Sequence, residues 1–129
     1  MIQPGRGAQH YLQTQVRSSS PLELVVLLYD GALRSSAAAS EAMERKDIPT
    51  RRAAVSKTLA IIGELQNTLD MKNGGAVAEQ LDQLYTWMTA ELVQATVRQD
   101  VRPIQGVRRV LETLRDGWQQ IAVKAGSAA

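Results

Sequence analysis

A chain of 129 residues is long enough for one domain with a packed core and too short for two. Its apolar fraction of 44% suits a globular protein, and no apolar run approaches the roughly 20 residues needed to span a bilayer. The sequence excludes disulfides because it has no cysteine. Its first residues lack the apolar core of a Sec signal peptide, and a net charge of +2 does not by itself indicate nucleic-acid binding. We therefore expect a cytoplasmic protein without membrane insertion.

Residues 1–17 are polar and glycine-rich, with Tyr11 as one of a few isolated apolar positions. We predict that this segment is a mobile N-terminal arm that docks locally. A disordered terminus without a docking role is equally consistent with the composition.

A long first helix begins after Ser20. Ser20 suits the N-cap, Pro21 the first helical position, and Glu23 stands at the spacing of a capping box. We predict that this helix ends near Arg45. The stretch 47–50 should then connect it to the next helix, since Pro49 cannot continue a helix and restricts Ile48 to extended values.

The first helix is too apolar for an ordinary amphipathic helix. No polar side chain occurs from Leu24 to Tyr29, and six consecutive apolar residues cover more than one full turn. More than one face of this helix therefore needs a partner.

Three further helices are predicted by apolar residues that recur every three or four positions. They span about 50–71, 76–98 and 101–123, and residues 126–129 should be a disordered tail. The inward stripes are Val55, Leu59, Ile62, Leu65 and Leu69; then Val77, Leu81, Leu84, Met88, Leu92 and Ala95; then Ile104, Val107, Leu111, Leu114, Trp118 and Ile121. Short connections favour antiparallel neighbours, so we predict an all-α, up-down-up-down four-helix bundle over residues 18–125.

The residues that most catalytic and metal sites require are scarce in this chain. His10 is the one histidine and lies in the arm, and no glycine-rich phosphate-binding motif is present. We therefore predict no metal, no cofactor and no enzymatic activity. Four arginines of the last helix, Arg102, Arg108, Arg109 and Arg115, leave a nucleic-acid-binding domain as an alternative, although flanking charges on a helix surface explain them more simply.

The apolar side chains exceed what one bundle core needs. Ile61 beside Ile62, Trp87 and Val93 lie off the inward stripes, in addition to the run in the first helix. This surplus predicts either a long apolar groove for an amphipathic peptide or an oligomer interface such as a homodimer.

The order and spacing of several short motifs resemble the FliS family of flagellin export chaperones. The similarity spans about Tyr11 to Ile121. It rests on Tyr11, Ser20-Pro21-x-Glu23-Leu24, Leu28-Tyr29-Asp30-Gly31-Ala32, Asp47, Ile61-Ile62-x-Glu64-Leu65, Leu69-Asp70, Gly74-Gly75, Ala78, Leu81, Leu84-Tyr85-x-x-Met88, Leu92 and Trp118. Thr86-Trp87 departs from the family, which usually has a short polar residue and tyrosine there.

The resemblance implies a cytoplasmic antiparallel bundle that binds the disordered C-terminal segment of flagellin. It also implies that the bundle prevents premature polymerisation until the type III export apparatus takes the subunit. On this basis we predict that the residues in contact with flagellin are Tyr11, Leu28, Tyr29, Ile61, Ile62, Leu65, Leu84, Tyr85 and Met88. At some of these positions the alternative is that the side chain only packs in the core. Tyr11 is further predicted to cover the groove in the free protein and to move aside for flagellin.

Overall fold

The computed structural model describes residues 20–128, and it describes side chains as far as residue 125. This part of the chain folds into four helices and contains no strand. The helices are α1 (Pro21–Glu44), α2 (Ile48–Asn67), α3 (Gly75–Arg98) and α4 (Arg102–Ala128). Their connections are short, so successive helices run antiparallel.

Each helix packs against the two helices that are its neighbours around the bundle. α1 lies between α2 and α4, and α3 lies opposite α1 and also contacts α2 and α4. The closest backbone approaches involve α1, because its buried face carries small residues such as Ala32, Ser36 and Ala39. The predicted all-α, up-down-up-down bundle is confirmed.

The ends of α1 and α2 are set by side-chain caps. Ser20 and Glu23 form the predicted capping box at the start of α1. The prediction that Pro49 precedes α2 and holds Ile48 extended is wrong. Asp47 caps α2 by accepting a hydrogen bond from the Thr50 backbone N–H, and Pro49 lies in the first turn, where it removes no helical hydrogen bond.

Two other predicted boundaries differ from the structure. α2 ends at Asn67, four residues before the predicted end, because residues 68–74 form a turn that Asp70 organises through its carboxylate. α4 continues to Ala128, beyond the predicted end near Val123 and into the predicted tail. Ala122, Lys124 and Ala125 are good helix formers, which favours continuation of the helix past Val123.

The core is a single cluster to which all four helices contribute. Its fully buried large side chains are Tyr29, Tyr85, Ile62, Leu65, Met88, Leu92, Ile104, Leu111 and Val107. Two residues predicted on inward stripes are instead exposed: Val77 is 62% and Ile121 is 49% exposed. Both lie where the bundle opens, in the first turn of α3 and the last turns of α4, and this open end positions the candidate site.

No helix within residues 20–128 has the length and apolarity needed to cross a membrane.

Candidate binding groove

An apolar groove of about 450 Å³ opens at the end of the bundle where α1 begins. Three helices, α1, α3 and α4, and the turn between α2 and α3 contribute to its wall. Asp70 is the one charged residue among the described residues that line it, which are Pro21, Leu22, Leu24, Val25, Leu28, Thr68, Leu69, Asp70, Gly74, Val77, Ala78, Leu81, Tyr85 and Trp118.

The apolar run of α1 forms two faces of that helix. Val26 and Tyr29 point into the core and are buried. Leu24, Val25 and Leu28 lie on the other face, are half-buried and line the groove. The excess of apolar residues in this stretch therefore corresponds to a second, open surface in addition to the core.

The floor of the groove contains a buried pair of tyrosines. Tyr85 lines the groove, and its hydroxyl is hydrogen-bonded to that of Tyr29, with 2.5 Å between the two oxygens. Burial raises the pKa of both phenols above their usual value, since an apolar surrounding disfavours the phenolate. Both groups are therefore neutral near pH 7, and one hydroxyl donates its proton to the oxygen of the other.

The turn between α2 and α3 forms one rim of the groove. The Asp70 carboxylate accepts hydrogen bonds from the backbone N–H and the side-chain amide of Asn73 and from the backbone N–H of Lys72, and these bonds lower the pKa of Asp70. Gly74 then packs so closely that a Cβ atom there would lie 2.5 Å from the Asp70 carbonyl oxygen. The rim thus depends on an ionised Asp70 and on a residue without a side chain.

The nine predicted contact residues fall into four groups. Leu28 and Tyr85 line the groove. Ile61 and Leu84 are half-buried against the core but do not line this groove. Tyr11 lies outside the described residues.

The remaining four predicted contact residues are Tyr29, Ile62, Leu65 and Met88, which fill core layers. They are buried because they lie on the inward stripes of their helices, where each meets side chains of facing helices. In this conformation they offer no surface to a partner, so contact with flagellin stays a prediction for them.

Several groove residues were not selected from the sequence. Leu24, Val25, Leu69, Val77 and Trp118 line the groove. The apolar run in α1 pointed to the first two. The others lie on the predicted inward stripes, and a stripe that continues past the end of the neighbouring helices is the pattern that could have indicated them.

Two of the four arginines behind the nucleic-acid alternative bind carboxylates. The Arg115 Nε atom lies 2.8 Å from Asp30 Oδ1, and this ion pair links α4 to α1. The Arg102 Nη2 atom lies 2.8 Å from Asp100 Oδ2. These pairs favour the interpretation of flanking charges. Among the described residues, no group of three or more histidine, cysteine or acidic side chains lies close enough to hold a metal ion.

The model of one protein family, described as flagellar protein FliS, matches residues 5–125. The chain belongs to the FliS family. The resemblance inferred from the motifs is thus confirmed, and the match includes every groove residue.

The sequences of curated FliS relatives align with this chain over most of their length. The chain is 37% identical over 111 residues to the flagellar secretion chaperone FliSB of Pseudomonas aeruginosa, covering 86% of this chain and 88% of that protein. It is 35% identical over 119 residues to the flagellar secretion chaperone FliS of Salmonella typhimurium, covering 92% and 88%. For FliS of Campylobacter jejuni the identity is 38% over 111 residues, covering 86% and 87%.

A solved structure has the same four-helix fold. A crystal structure described as a flagellar chaperone from bacteria superposes with a TM-score of 0.73 and covers 88% of this chain and 92% of its own. The two sequences are 21% identical, so this likeness concerns the four-helix arrangement alone.

Proposed function

We propose that this protein is a cytoplasmic flagellar export chaperone that binds the disordered C-terminal segment of flagellin. By covering that segment it prevents premature polymerisation and keeps the subunit ready for the type III export apparatus. The action is binding and requires no cofactor and no catalysis. The groove at the open end of the bundle is the observation that carries this proposal.

The chemistry of the groove fits an amphipathic segment of a partner. Its wall is almost entirely apolar, and Val77 exposes a large apolar surface at its edge. An apolar surface of this kind is used to hold the apolar face of a helix, with anchors spaced by three and four residues. The FliS relatives, which are called flagellar secretion chaperones, support the choice of cargo.

A disordered cargo must offset the entropy that it loses when it becomes ordered. Coupled folding and binding typically buries about 1,000–3,000 Å² for this reason. The groove is one part of such a contact. The half-buried side chains of Leu84 and Ile61 leave further apolar surface outside the groove.

We propose further that residues 1–17, with Tyr11, regulate access to the groove. The groove begins at Pro21, so the preceding chain starts at its edge. Deletion of residues 1–17 should change the dissociation constant of the flagellin segment. An unchanged constant would refute the gating role and leave the cargo assignment intact.

Calorimetric titration with a peptide of the flagellin C-terminal segment tests the proposal. Val77→Lys should weaken binding at least about tenfold, because it places a charge on the apolar wall of the groove. Val77 is exposed, so the substitution leaves the packing of the core unchanged. Val97→Lys is the matched control, since Val97 lies on the same helix, is 72% exposed and is not part of the groove. Absence of binding at tens of micromolar, or equal loss in both variants, contradicts the proposal.

A further inference from the structure

The outward side of α3 carries an apolar stripe that the bundle does not cover. Trp87 is 39% exposed and Val93 is 46% exposed, and Val97 is exposed further along the helix. Together with Ala90 they follow one another at spacings of three, three and four residues, so they share one side of the helix. The inward side of α3 is separate and is formed by Leu81, Tyr85, Met88 and Leu92, which are buried.

Acidic side chains accompany this stripe. Glu79 lies about two helical turns before Trp87, Asp82 lies little more than one turn before it, and Glu91 lies one turn after it. Within the described chain none of these three carboxylates has a basic partner within 4 Å, and α3 carries no lysine or arginine before Arg98. The net charge of the whole chain is +2, so this acidity is local to α3.

We infer that the outward stripe of α3 docks a basic amphipathic helix of a partner protein. Trp87 supplies the large aromatic anchor that often dominates the energy of a protein interface. Lysine or arginine on the partner would complement Glu79, Asp82 and Glu91. A second copy of this chain fits less well, because two copies of the stripe bring the same unneutralised carboxylates together.

The size of the stripe sets the strength of this interaction. One helix docked on one exposed face buries less than about 1,200 Å², which is the range of weak, transient complexes. The dissociation constant is therefore expected in the micromolar range, with a clear dependence on salt. This surface is independent of the proposed cargo site, since no residue of the stripe lines the groove.

The two tryptophans of the chain allow the two surfaces to be observed separately. Trp118 lines the groove and Trp87 lies on the stripe, so protein labelled with 5-fluorotryptophan gives one fluorine NMR resonance for each surface. The probe is a synthetic helical peptide of leucine and lysine, about 18 residues long. Its control is the same pattern of leucine and glutamate. The leucine–lysine peptide should shift the Trp87 resonance, and the leucine–glutamate peptide should not.

Variants assign the binding to the stripe and to its charges. Val97→Lys should weaken the binding of the leucine–lysine peptide at least about tenfold, whereas Val77→Lys should leave it unchanged. Glu91→Gln should weaken it several-fold, and Glu64→Gln, which removes an exposed carboxylate from α2, should not.

Three results would overturn the inference. The first is a Trp87 resonance that stays in place while the Trp118 resonance moves. The second is equal binding of the two peptides. The third is a Trp87 resonance that shifts with protein concentration in the absence of peptide, which would identify a second copy as the occupant. Flagellin binding is tested separately, by Val77→Lys at the groove.

Discussion

Tyr29 and Tyr85 bring two hydroxyl groups together where water does not reach them. Replacing either one with phenylalanine leaves the other hydroxyl buried without its partner, and we expect each single variant to lose about 1–3 kcal/mol of unfolding free energy. The double variant removes both polar groups and should lose less than the sum of the two. Urea unfolding of the four proteins measures this coupling, and strictly additive losses would contradict it.

The same two phenols predict how stability responds to alkaline pH. Burial raises the pKa of Tyr29 and of Tyr85 in the folded state above the usual value of 10.0. Above about pH 10 the unfolded chain releases these protons and the folded chain does not, so the stabilising contribution, complete below pH 10, declines as pH rises. Each phenol contributes a slope of up to about 1.4 kcal/mol per pH unit. Unfolding measured from pH 8 to 11 should show a smaller slope in Tyr29→Phe, and an unchanged slope contradicts the assignment.

At the scale of single elements, glycines in different conformations should respond oppositely to alanine. Gly75 has φ +58°, a left-handed conformation that costs an L-residue about 1–2 kcal/mol. Gly63 lies inside α2, and nothing lies within 4 Å of a Cβ placed there. We expect Gly75→Ala to destabilise the protein by about 1 kcal/mol and Gly63→Ala to stabilise it by about 0.5–1 kcal/mol. Thermal unfolding compares the two, and a shift of the same sign in both would refute the argument.

The helices themselves could be predicted from the sequence, because their periodicity and caps are local properties. The ends were harder to predict. Pro49 suggests the end of one helix, yet α1 already ends at Glu44, before the left-handed Lys46, and Pro49 lies in the first turn of α2 behind the Asp47 cap. The groove was harder still to predict. Val77 and Leu81 belong to one apolar stripe in the sequence, and only the positions at which the neighbouring helices end leave Val77 exposed and Leu81 buried.

The whole molecule has one closely packed end and one open end. At the end where α3 connects to α4, Ala95, Ile104 and Val107 are fully buried. At the groove end, Val25 and Leu69 are half-buried and belong to the surface that binds cargo in the proposed function. The fold thus combines a core that maintains the four helices with an end whose apolar side chains are incompletely covered.

Hydrogen exchange should reveal this difference between the two ends. Amides in the first turns of α3 are expected to exchange through local opening, at least about tenfold faster than those around Leu92 and Val107, which should require global unfolding. Saturation with the flagellin C-terminal segment should slow exchange at the groove end, because the segment covers the apolar wall there. At the same cargo concentration that protection should be smaller in Val77→Lys, while Val97→Lys should retain it. Protection spread evenly over all four helices would mean that the cargo stabilises the bundle without occupying its open end.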